Sequence, residues 1–292
     1  MEIQLNNGVP MPSPGFGVAA ISGWQVDTDE VAEVVSEAIQ IGYRHLDTAS
    51  VYGNERSVGS AIAAGGVERG DLFVATKAWT TEHGYDQILR AFDNSRRRLD
   101  IEYLDLYLLH WPVPDLIAES WRAMERLVSE GAVRAIGVSN YRISDLELLL
   151  ASADVAPACN QIEIHPYFSQ PEVQAYCREK AIQLVSYSPL GTGTWSDIPA
   201  EQKPIVDPLI REIAERHEVT PAQVILRWNL QHDWVPIPKS ENSARMRQNL
   251  DLRGFELSEA EMTSIDALEK GKRFNMDPEE AIETTKHVAV PR

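Results

Sequence analysis

Four side chains in the first half of the sequence have the chemistry to deliver a proton: Asp47, Tyr52, Lys77 and His110. A tyrosine is normally too weak an acid near neutral pH, since its unperturbed pKa is about 10. The ammonium of Lys77 is expected to lower the pKa of Tyr52, and Asp47 is expected to keep the lysine charged. With His110 orienting the acceptor, the set suits protonation of an oxygen that gains negative charge, as when hydride reaches a carbonyl. None of the four donates hydride, so a cofactor is expected.

Three of these residues end short apolar runs that alternate with amphipathic helical segments. The predicted strands are Phe16–Val18, His45–Asp47, Phe73–Lys77, Leu104–His110, Ala135–Ser139, Asn160–Glu163, Leu184–Tyr187 and Val235–Ile237. From Asp47 to Lys239 the chain runs 192 residues across six strand–helix units, or 32 per unit. A barrel of about 250 residues in eight units predicts about 31. The pattern therefore favours an α/β fold, a single parallel (β/α)8 TIM barrel.

The domain organisation follows from the same pattern, because no linker separates two parts of the chain. Residues 1–292 are predicted to form one barrel domain. An Asn-Gly turn within residues 1–14 indicates an N-terminal hairpin that could plug the barrel. Residues 250–292 are expected to form a C-terminal helix and tail, with a capping box at Ser258.

Polar residues end almost every predicted strand, which core packing does not explain because each buried polar group needs a partner. In α/β barrels the chemistry lies at the C-terminal ends of the strands. A shared polar site at one barrel mouth would supply the partners. No Gly-x-Gly-x-x-Gly motif follows the first strand, so a nucleotide would be held without a glycine-rich turn. The strand-end residues are Asp47, Lys77, His110, Ser139, Asn140, Gln161, Glu163, Tyr187, Ser188, Lys239 and Ser240.

The charge balance restricts the partners, since 44 acidic residues against 27 Lys and Arg give a net charge of −17. Such a surface repels nucleic acids and anionic membranes, and no apolar run approaches the roughly 20 residues of a membrane span. Lys239, Arg245 and Arg247 form a local cationic cluster, either a solvated helix face or an anion site. Cys159 and Cys177 have no metal-ligand spacing, so we expect free thiols, no metal site and a cytoplasmic protein.

Several motifs resemble those of the aldo-keto reductases, in that family's order and over nearly the whole chain. The segment after His110 is short, as in bacterial members such as the 2,5-diketo-gluconate reductases. The matching segments are Gly42–Ala49 followed by Tyr52 and Gly53–Glu55, Ala75–Lys77 with Trp79, Leu108–Pro112, Ile136–Tyr141, and Ile237–Ser240 followed by Arg245, Gln248 and Asn249.

The resemblance implies NADPH-dependent reduction of aldehydes, ketones or keto-acids, with Tyr52 as general acid supported by Asp47, Lys77 and His110. It implies that Lys239, Ser240 and Arg245 hold the adenosine 2′-phosphate, which explains a cationic cluster on an acidic protein because a guanidinium fits a phosphate. The other implied cofactor contacts are Ser139, Asn140 and Gln161 at the carboxamide, Tyr187 on the nicotinamide ring, Ser188 and Leu190 beside the pyrophosphate, and Gln248 and Asn249 near the adenine.

The chain departs from the family where many members carry an aromatic residue after the first strand, because Ala19 stands there. The short segment after His110 indicates an open pocket, lined by Ala19, Trp79, Trp111 and Trp195. A small-molecule carbonyl compound is the expected partner, and a monomer is the expected state. Two alternatives are a non-catalytic NADP(H)-binding barrel and a lyase forming a Schiff base on Lys77, which would need a neutral lysine that Asp47 opposes.

Overall fold

The computed structural model describes residues 1–192 and 198–291. From the third strand to the tenth, at least one α-helix lies between successive strands. The strands are β1 Glu2–Gln4, β2 Pro10–Pro12, β3 Phe16–Gly17, β4 His45–Asp47, β5 Phe73–Ala78, β6 Leu104–Leu109, β7 Val133–Ser139, β8 Cys159–Glu163, β9 Gln183–Tyr187 and β10 Val235–Pro236. The α-helices are α1 Asp29–Ile41, α2 Glu55–Ala64, α3 Tyr85–Leu99, α4 Ile117–Ser129, α5 Ile143–Leu150, α6 Pro171–Glu179, α7 Pro208–His217, α8 Pro221–Gln231, α9 Ser243–Leu250, α10 Glu259–Asp266 and α11 Pro278–Thr285.

The main sheet contains β3 to β10 in chain order, each strand parallel to its neighbours. Its first and last strands are joined by backbone hydrogen bonds, from Gly15 N to Pro236 O at 2.9 Å and from Gly17 N to Pro238 O at 3.2 Å. A Cβ atom at Gly17 would lie 2.9 Å from the Ile237 carbonyl oxygen, so this seam requires glycine. The sheet closes on itself, which confirms the predicted (β/α)8 barrel.

Alternation along the strands separates two apolar layers. Side chains facing the barrel interior form one cluster, which includes Phe73 and Ala75 of β5 and Leu106 and Leu108 of β6. Their sequence neighbours pack outward among the helices, as Val74 does. Because successive side chains point to opposite faces, Lys77 faces the barrel interior as Phe73 and Ala75 do, near the end of β5. The same alternation directs the polar residues at the strand ends into the barrel mouth.

The N-terminal hairpin of β1 and β2 closes the other end of the barrel. Its antiparallel strands pair Ile3 with Met11, and a turn at Gly8 (φ 80°) joins them. Met11 and Leu5 are buried in the interior cluster. The hairpin expected within residues 1–14 is therefore present, and its apolar side chains fill the barrel floor.

The predicted elements agree closely with the structure. All eight barrel strands exist, with bounds that differ by at most two residues; β7, for example, begins at Val133 rather than Ala135. Thr220 and Ser258 form the capping boxes that open α8 and α10. The C-terminal part holds α10, α11 and a tail that crosses the barrel mouth, which the sequence did not place. None of the described helices combines the length and apolar character needed to cross a membrane.

Candidate active site

A cavity of about 720 Å³ opens at the C-terminal ends of the barrel strands, a volume usual for small-molecule sites. Lys77 lies below the cavity, fully buried. Trp195 lies outside the described residues, and Arg247 of the cationic cluster is not among the described residues that line the cavity. The other predicted site residues line it: Ala19, Asp47, Tyr52, Trp79, His110, Trp111, Ser139, Asn140, Gln161, Tyr187, Ser188, Leu190, Lys239, Ser240, Arg245, Gln248 and Asn249.

A buried ion pair forms the floor of one end of the cavity. The Lys77 ammonium donates to Asp47 Oδ1 at 2.5 Å and to the Thr48 carbonyl oxygen at 2.9 Å. The other carboxylate oxygen of Asp47 accepts a hydrogen bond from Gln161 Nε2 at 2.7 Å. Lys77 Nζ also lies 5.1 Å from the centre of the Tyr52 ring. Asp47 thus holds the lysine in place beside the tyrosine.

The pKa values at this end differ in one respect from the expectation. Burial lowers the pKa of Lys77, but attraction to Asp47 and Tyr52 outweighs burial, so its pKa is raised and the ammonium stays charged. Burial raises the pKa of Tyr52, and the nearby charge of Lys77 offsets this only in part. The expected net lowering of the tyrosine pKa is therefore wrong for this structure, because burial has the larger effect. Tyr52 stays protonated near neutral pH.

His110 faces Tyr52 across the cavity, with the two rings edge to face and their centres 5.6 Å apart. Burial lowers the pKa of His110 well below its ordinary value, and the charge of Lys77 lowers it further. The imidazole is neutral near pH 7. A neutral imidazole can hydrogen-bond a carbonyl oxygen without competing with Tyr52 as the acid.

A hydrogen-bonded set of polar residues occupies the middle of the cavity. The Tyr187 hydroxyl donates to Asn140 Oδ1 at 2.7 Å, and Asn140 Nδ2 donates to the His110 carbonyl oxygen at 3.0 Å. Ser139 Oγ donates to the Gln161 carbonyl oxygen at 2.8 Å. Asn140 has φ 63°, a left-handed conformation that asparagine tolerates better than most residues. Amide groups and one fixed aromatic ring thus lie together, and they could hold a flat ring with a carboxamide.

The far end of the cavity carries the cationic residues. Lys239 follows β10, and Arg245 lies in the first turn of α9, where Asn242 caps the helix by accepting from the Arg245 backbone N–H at 3.0 Å. Ser240 and Asn249 are buried beside them, whereas Lys239 and Arg245 are exposed. Exposed cations at the rim of a cavity suit an anionic group that remains partly in solvent.

Trp24 is a cavity residue that the sequence reasoning missed. Its ring packs against Tyr52 at 65° with the centres 5.8 Å apart. Gln25 fixes the preceding loop by donating to the Val51 carbonyl oxygen at 3.2 Å and to the Ala289 carbonyl oxygen at 2.9 Å. The signal was present as an aromatic residue five positions after Ala19, before α1. An irregular loop, with φ 52° at Ala20, places this ring.

The C-terminal segment covers the tryptophan side of the mouth. Trp79 and Trp111 are 1% and 4% exposed, packed against Ala281 of α11. Trp79 Nε1 donates to the Thr285 carbonyl oxygen at 3.1 Å. The pocket is therefore less open than the short segment after His110 indicated, because α11 packs over this side of the mouth.

The loop beside the middle of the cavity is tied to the same C-terminal segment. Asn275 Nδ2 donates to Ser188 Oγ and to the Thr192 carbonyl oxygen, both at 3.4 Å. The fully buried carboxylate of Glu163 accepts from the backbone N–H groups of Phe274 at 2.7 Å and Asn275 at 3.1 Å. Glu163, recognised in the sequence only as a strand-end residue, thus anchors the segment that closes the cavity.

Known proteins are similar to this chain in both sequence and fold. The sequence profile of the Aldo/keto reductase family matches residues 15–270. The chain belongs to the aldo/keto reductase family. It is 46% identical over 282 residues to morphine 6-dehydrogenase of Pseudomonas putida, covering 94% of each chain. It is 44% identical over 280 residues to glyoxal reductase of Bacillus subtilis, covering 96% of this chain and 97% of the other.

A solved member of the aldo/keto reductase family, from Bombyx mori and in complex with NADP, has the same fold. It superposes with a TM-score of 0.87 at 34% identity, covering 99% of both chains. The family expected from the sequence motifs is therefore confirmed, and with it the enzyme class, an oxidoreductase. The NADP complex agrees with the cofactor expected for this chain.

Proposed function

We propose that this chain reduces aldehydes, ketones or keto-acids to alcohols with NADPH, and that Tyr52 donates the proton. The observation that carries the proposal is the buried Asp47–Lys77 ion pair directly beside Tyr52 at the cavity floor. The charged ammonium of Lys77 stabilises negative charge that develops on the tyrosine oxygen or on the reacting oxygen. The Bacillus subtilis relative, named a glyoxal reductase, supports a carbonyl substrate.

The cavity residues fit NADPH in size and chemistry. Bound NADPH supplies the hydride. Ser139, Asn140 and Gln161 would bind its carboxamide, and Tyr187, fixed through its hydroxyl, would present its ring face to the nicotinamide. Ser188 and Leu190 would flank the pyrophosphate. Lys239, Ser240 and Arg245 would hold the 2′-phosphate, with Gln248 and Asn249 beside the adenine.

The proton side of the reaction follows from the protonation states. Tyr52 keeps its hydroxyl proton near neutral pH because its pKa is raised, and it would give that proton to the substrate oxygen. Lys77 would stabilise the resulting tyrosinate, and Asp47 would hold Lys77. His110, neutral because its pKa is lowered, would orient the substrate carbonyl oxygen by a hydrogen bond.

The lyase alternative does not fit the surroundings of Lys77. A Schiff base requires a neutral amine as the nucleophile. The pKa of Lys77 is raised, and two oxygen atoms accept hydrogen bonds from its ammonium. A neutral lysine there would leave Asp47 as a buried charge without its partner.

The deciding experiment measures NADPH oxidation with a panel of aldehydes, ketones and keto-acids. We expect turnover with the wild type and a fall in kcat of about 10²–10⁴-fold for Tyr52→Phe, the range for loss of a general acid. NADPH binding should persist in this variant. Tyr107→Phe is the matched control, because the Tyr107 hydroxyl is buried among the helices without a partner in the described structure. NADPH binding without turnover on any carbonyl would favour the non-catalytic barrel instead.

Three broader properties are part of the same proposal. We infer that residues 1–292 form one domain, that the protein acts as a monomer, and that it works in the cytoplasm. Cys159 and Cys177 are free and buried, which suits a reducing compartment. Light scattering coupled to size-exclusion chromatography should give the mass of one chain, 32.7 kDa. A mass twice as large would contradict the monomer.

A further inference from the structure

Lys239 is already engaged by this chain's own groups at the end of the cavity proposed for the 2′-phosphate. Its ammonium lies 2.5 Å from Glu241 Oε1 and donates to the Ala20 carbonyl oxygen at 2.9 Å. Glu241 itself lines the cavity, two residues after the lysine. An ammonium has three donors, so two of the three are directed at protein acceptors.

Arg245 is in a different situation. Among the residues that the structure describes, its guanidinium has no ion pair and no hydrogen bond, and only its backbone N–H is bonded, to Asn242. Lys239, Glu241 and Arg245 all line this end of the cavity. Their charges sum to +1, because Glu241 cancels one of the two cations.

The position of Glu241 should affect the affinities for NADPH and NADH in opposite ways. A dianionic 2′-phosphate must share the Lys239 ammonium with the Glu241 carboxylate and then lies close to a negative charge. A ribose 2′-hydroxyl is a donor, and a carboxylate is the acceptor that NAD-binding sites commonly use for it. A carboxylate beside the lysine therefore disfavours the phosphate and favours the hydroxyl.

We propose that Glu241 is a specificity-determining residue that narrows the preference for NADPH and lets the enzyme bind NADH as well. This inference rests on the proposed function, in which Lys239 and Arg245 hold the 2′-phosphate. Glu241 acts as an internal competitor for Lys239 when the cofactor carries that phosphate. When the cofactor carries a hydroxyl, Glu241 accepts its hydrogen bond.

The test measures binding of two nucleotides that differ only in the 2′-phosphate, adenosine 2′,5′-bisphosphate and AMP, by calorimetry. Neither contains nicotinamide, so the result is independent of turnover. For Glu241→Gln we expect the preference for the bisphosphate over AMP to rise about tenfold, because one nearby negative charge is removed. Glu119→Gln is the control, since it makes the same change in net charge at an exposed position of α4, across the barrel. If the preference of Glu241→Gln for the bisphosphate over AMP stays within twofold of the wild-type value, the inference is overturned.

Lys239→Ala and Arg245→Ala separate this inference from the proposed function. If both variants lose bisphosphate binding while Glu241→Gln changes nothing, the phosphate site stands and only the role of Glu241 fails. If neither variant affects bisphosphate binding, the phosphate is held elsewhere and the cofactor assignment fails as well. In Lys239→Ala, adding Glu241→Gln should raise the preference by less than it does in wild type, because the competition for Lys239 is gone.

Discussion

The two ends of the cavity hold their charges in opposite ways. At the proton end, Lys77 and Asp47 are 0% and 3% exposed at their side chains, and both bond to further buried groups. At the phosphate end, Lys239 and Glu241 are 37% and 40% exposed, and Arg245 is an exposed residue of the first turn of a helix. The strands hold the first set, whereas a loop and the start of α9 hold the second.

This difference predicts how each end tolerates change. A buried ion pair that loses one partner leaves an uncompensated charge, which costs several kcal/mol. An exposed cation is screened by water and salt, so each one contributes little to the free energy of folding. Substitutions at the proton end should therefore affect stability and rate together, whereas those at the phosphate end should change cofactor affinity without affecting the fold.

Lys77→Met should have the largest effect. It leaves the Asp47 carboxylate buried without its counter-ion, and we expect the free energy of unfolding to fall by roughly 3–5 kcal/mol. The value of kcat should fall by about 10²–10⁴-fold, because Tyr52 loses the charge beside it. Urea unfolding measures the change in stability, and steady-state kinetics measure the change in kcat. Lys180→Met is the control, because it removes the same charge from an exposed lysine, and it should change neither quantity. Normal stability in Lys77→Met would mean that the ion pair does not matter to the fold.

His83, a buried residue that acts electrostatically on His110, should make the free energy of unfolding depend on pH in the acid range. Burial lowers the pKa of His83 from 6.5 to about 4. Between these two pH values the histidine is protonated in the unfolded chain but not in the folded chain. The stabilisation is present above pH 6.5 and is lost as the pH falls towards 4, by roughly 3 kcal/mol at 1.36 kcal/mol per pKa unit. When the pH is lowered from 7 to 4, the free energy of unfolding should fall less in His83→Gln than in wild type, and the difference should be roughly 3 kcal/mol. His287→Gln, at an exposed histidine, should behave like wild type; an equal loss in all three proteins would exclude His83 as the cause.

Arg245→Ala tests the phosphate end directly. Hydrogen bonds to charged groups contribute about 1.5–3 kcal/mol, so the Kd for NADPH should rise about 10–100-fold. The Kd for NADH should rise less than threefold, and the melting temperature should not change. Arg247→Ala removes the same charge from the same helix but not from the cavity lining, so its effect should be small. Equal weakening of NADPH and NADH by Arg245→Ala would argue against a 2′-phosphate site. Fluorescence titration of both cofactors distinguishes these results.

Trp24→Ala should have the smallest effect. Edge-to-face aromatic pairs contribute about 0.5–1.5 kcal/mol beyond burial, so KM for an aromatic aldehyde should rise about fivefold. KM for a two-carbon aldehyde should change little, since it does not reach the ring. Trp24→Phe should restore most of the aromatic preference. If Trp24→Ala affected both aldehydes alike, the ring would support Tyr52 rather than bind the substrate.

Much of the barrel could be predicted from the sequence because its signals are local. The inward series Leu106 and Leu108 reaches His110, and Val185 reaches Tyr187, by simple alternation along a strand. Closed parallel sheets bring all such strand ends to one mouth. Asp47 and Lys239, which are 192 positions apart in the sequence, therefore line the same cavity.

Features that depend on loops or on the far C-terminus were not predictable in this way. Trp24 comes to Tyr52 through an irregular loop whose path no periodicity describes. The placement of α11 over Trp79 depends on contacts between residues more than 200 positions apart. The pairing of Lys239 with Glu241 is local in sequence, but its place on the cavity wall is not.

The sequence by itself determined the barrel, the family and the chemical identity of the groups at the barrel mouth, because strand alternation and residue type are local properties of the sequence. Only the tertiary structure decided the electrostatic balance among those groups. The sequence indicated that Lys77 would lower the pKa of Tyr52, yet burial raises it. The physical reason is that a side chain's charge partners can be read from its neighbours in a motif, whereas its desolvation depends on every element that packs around it.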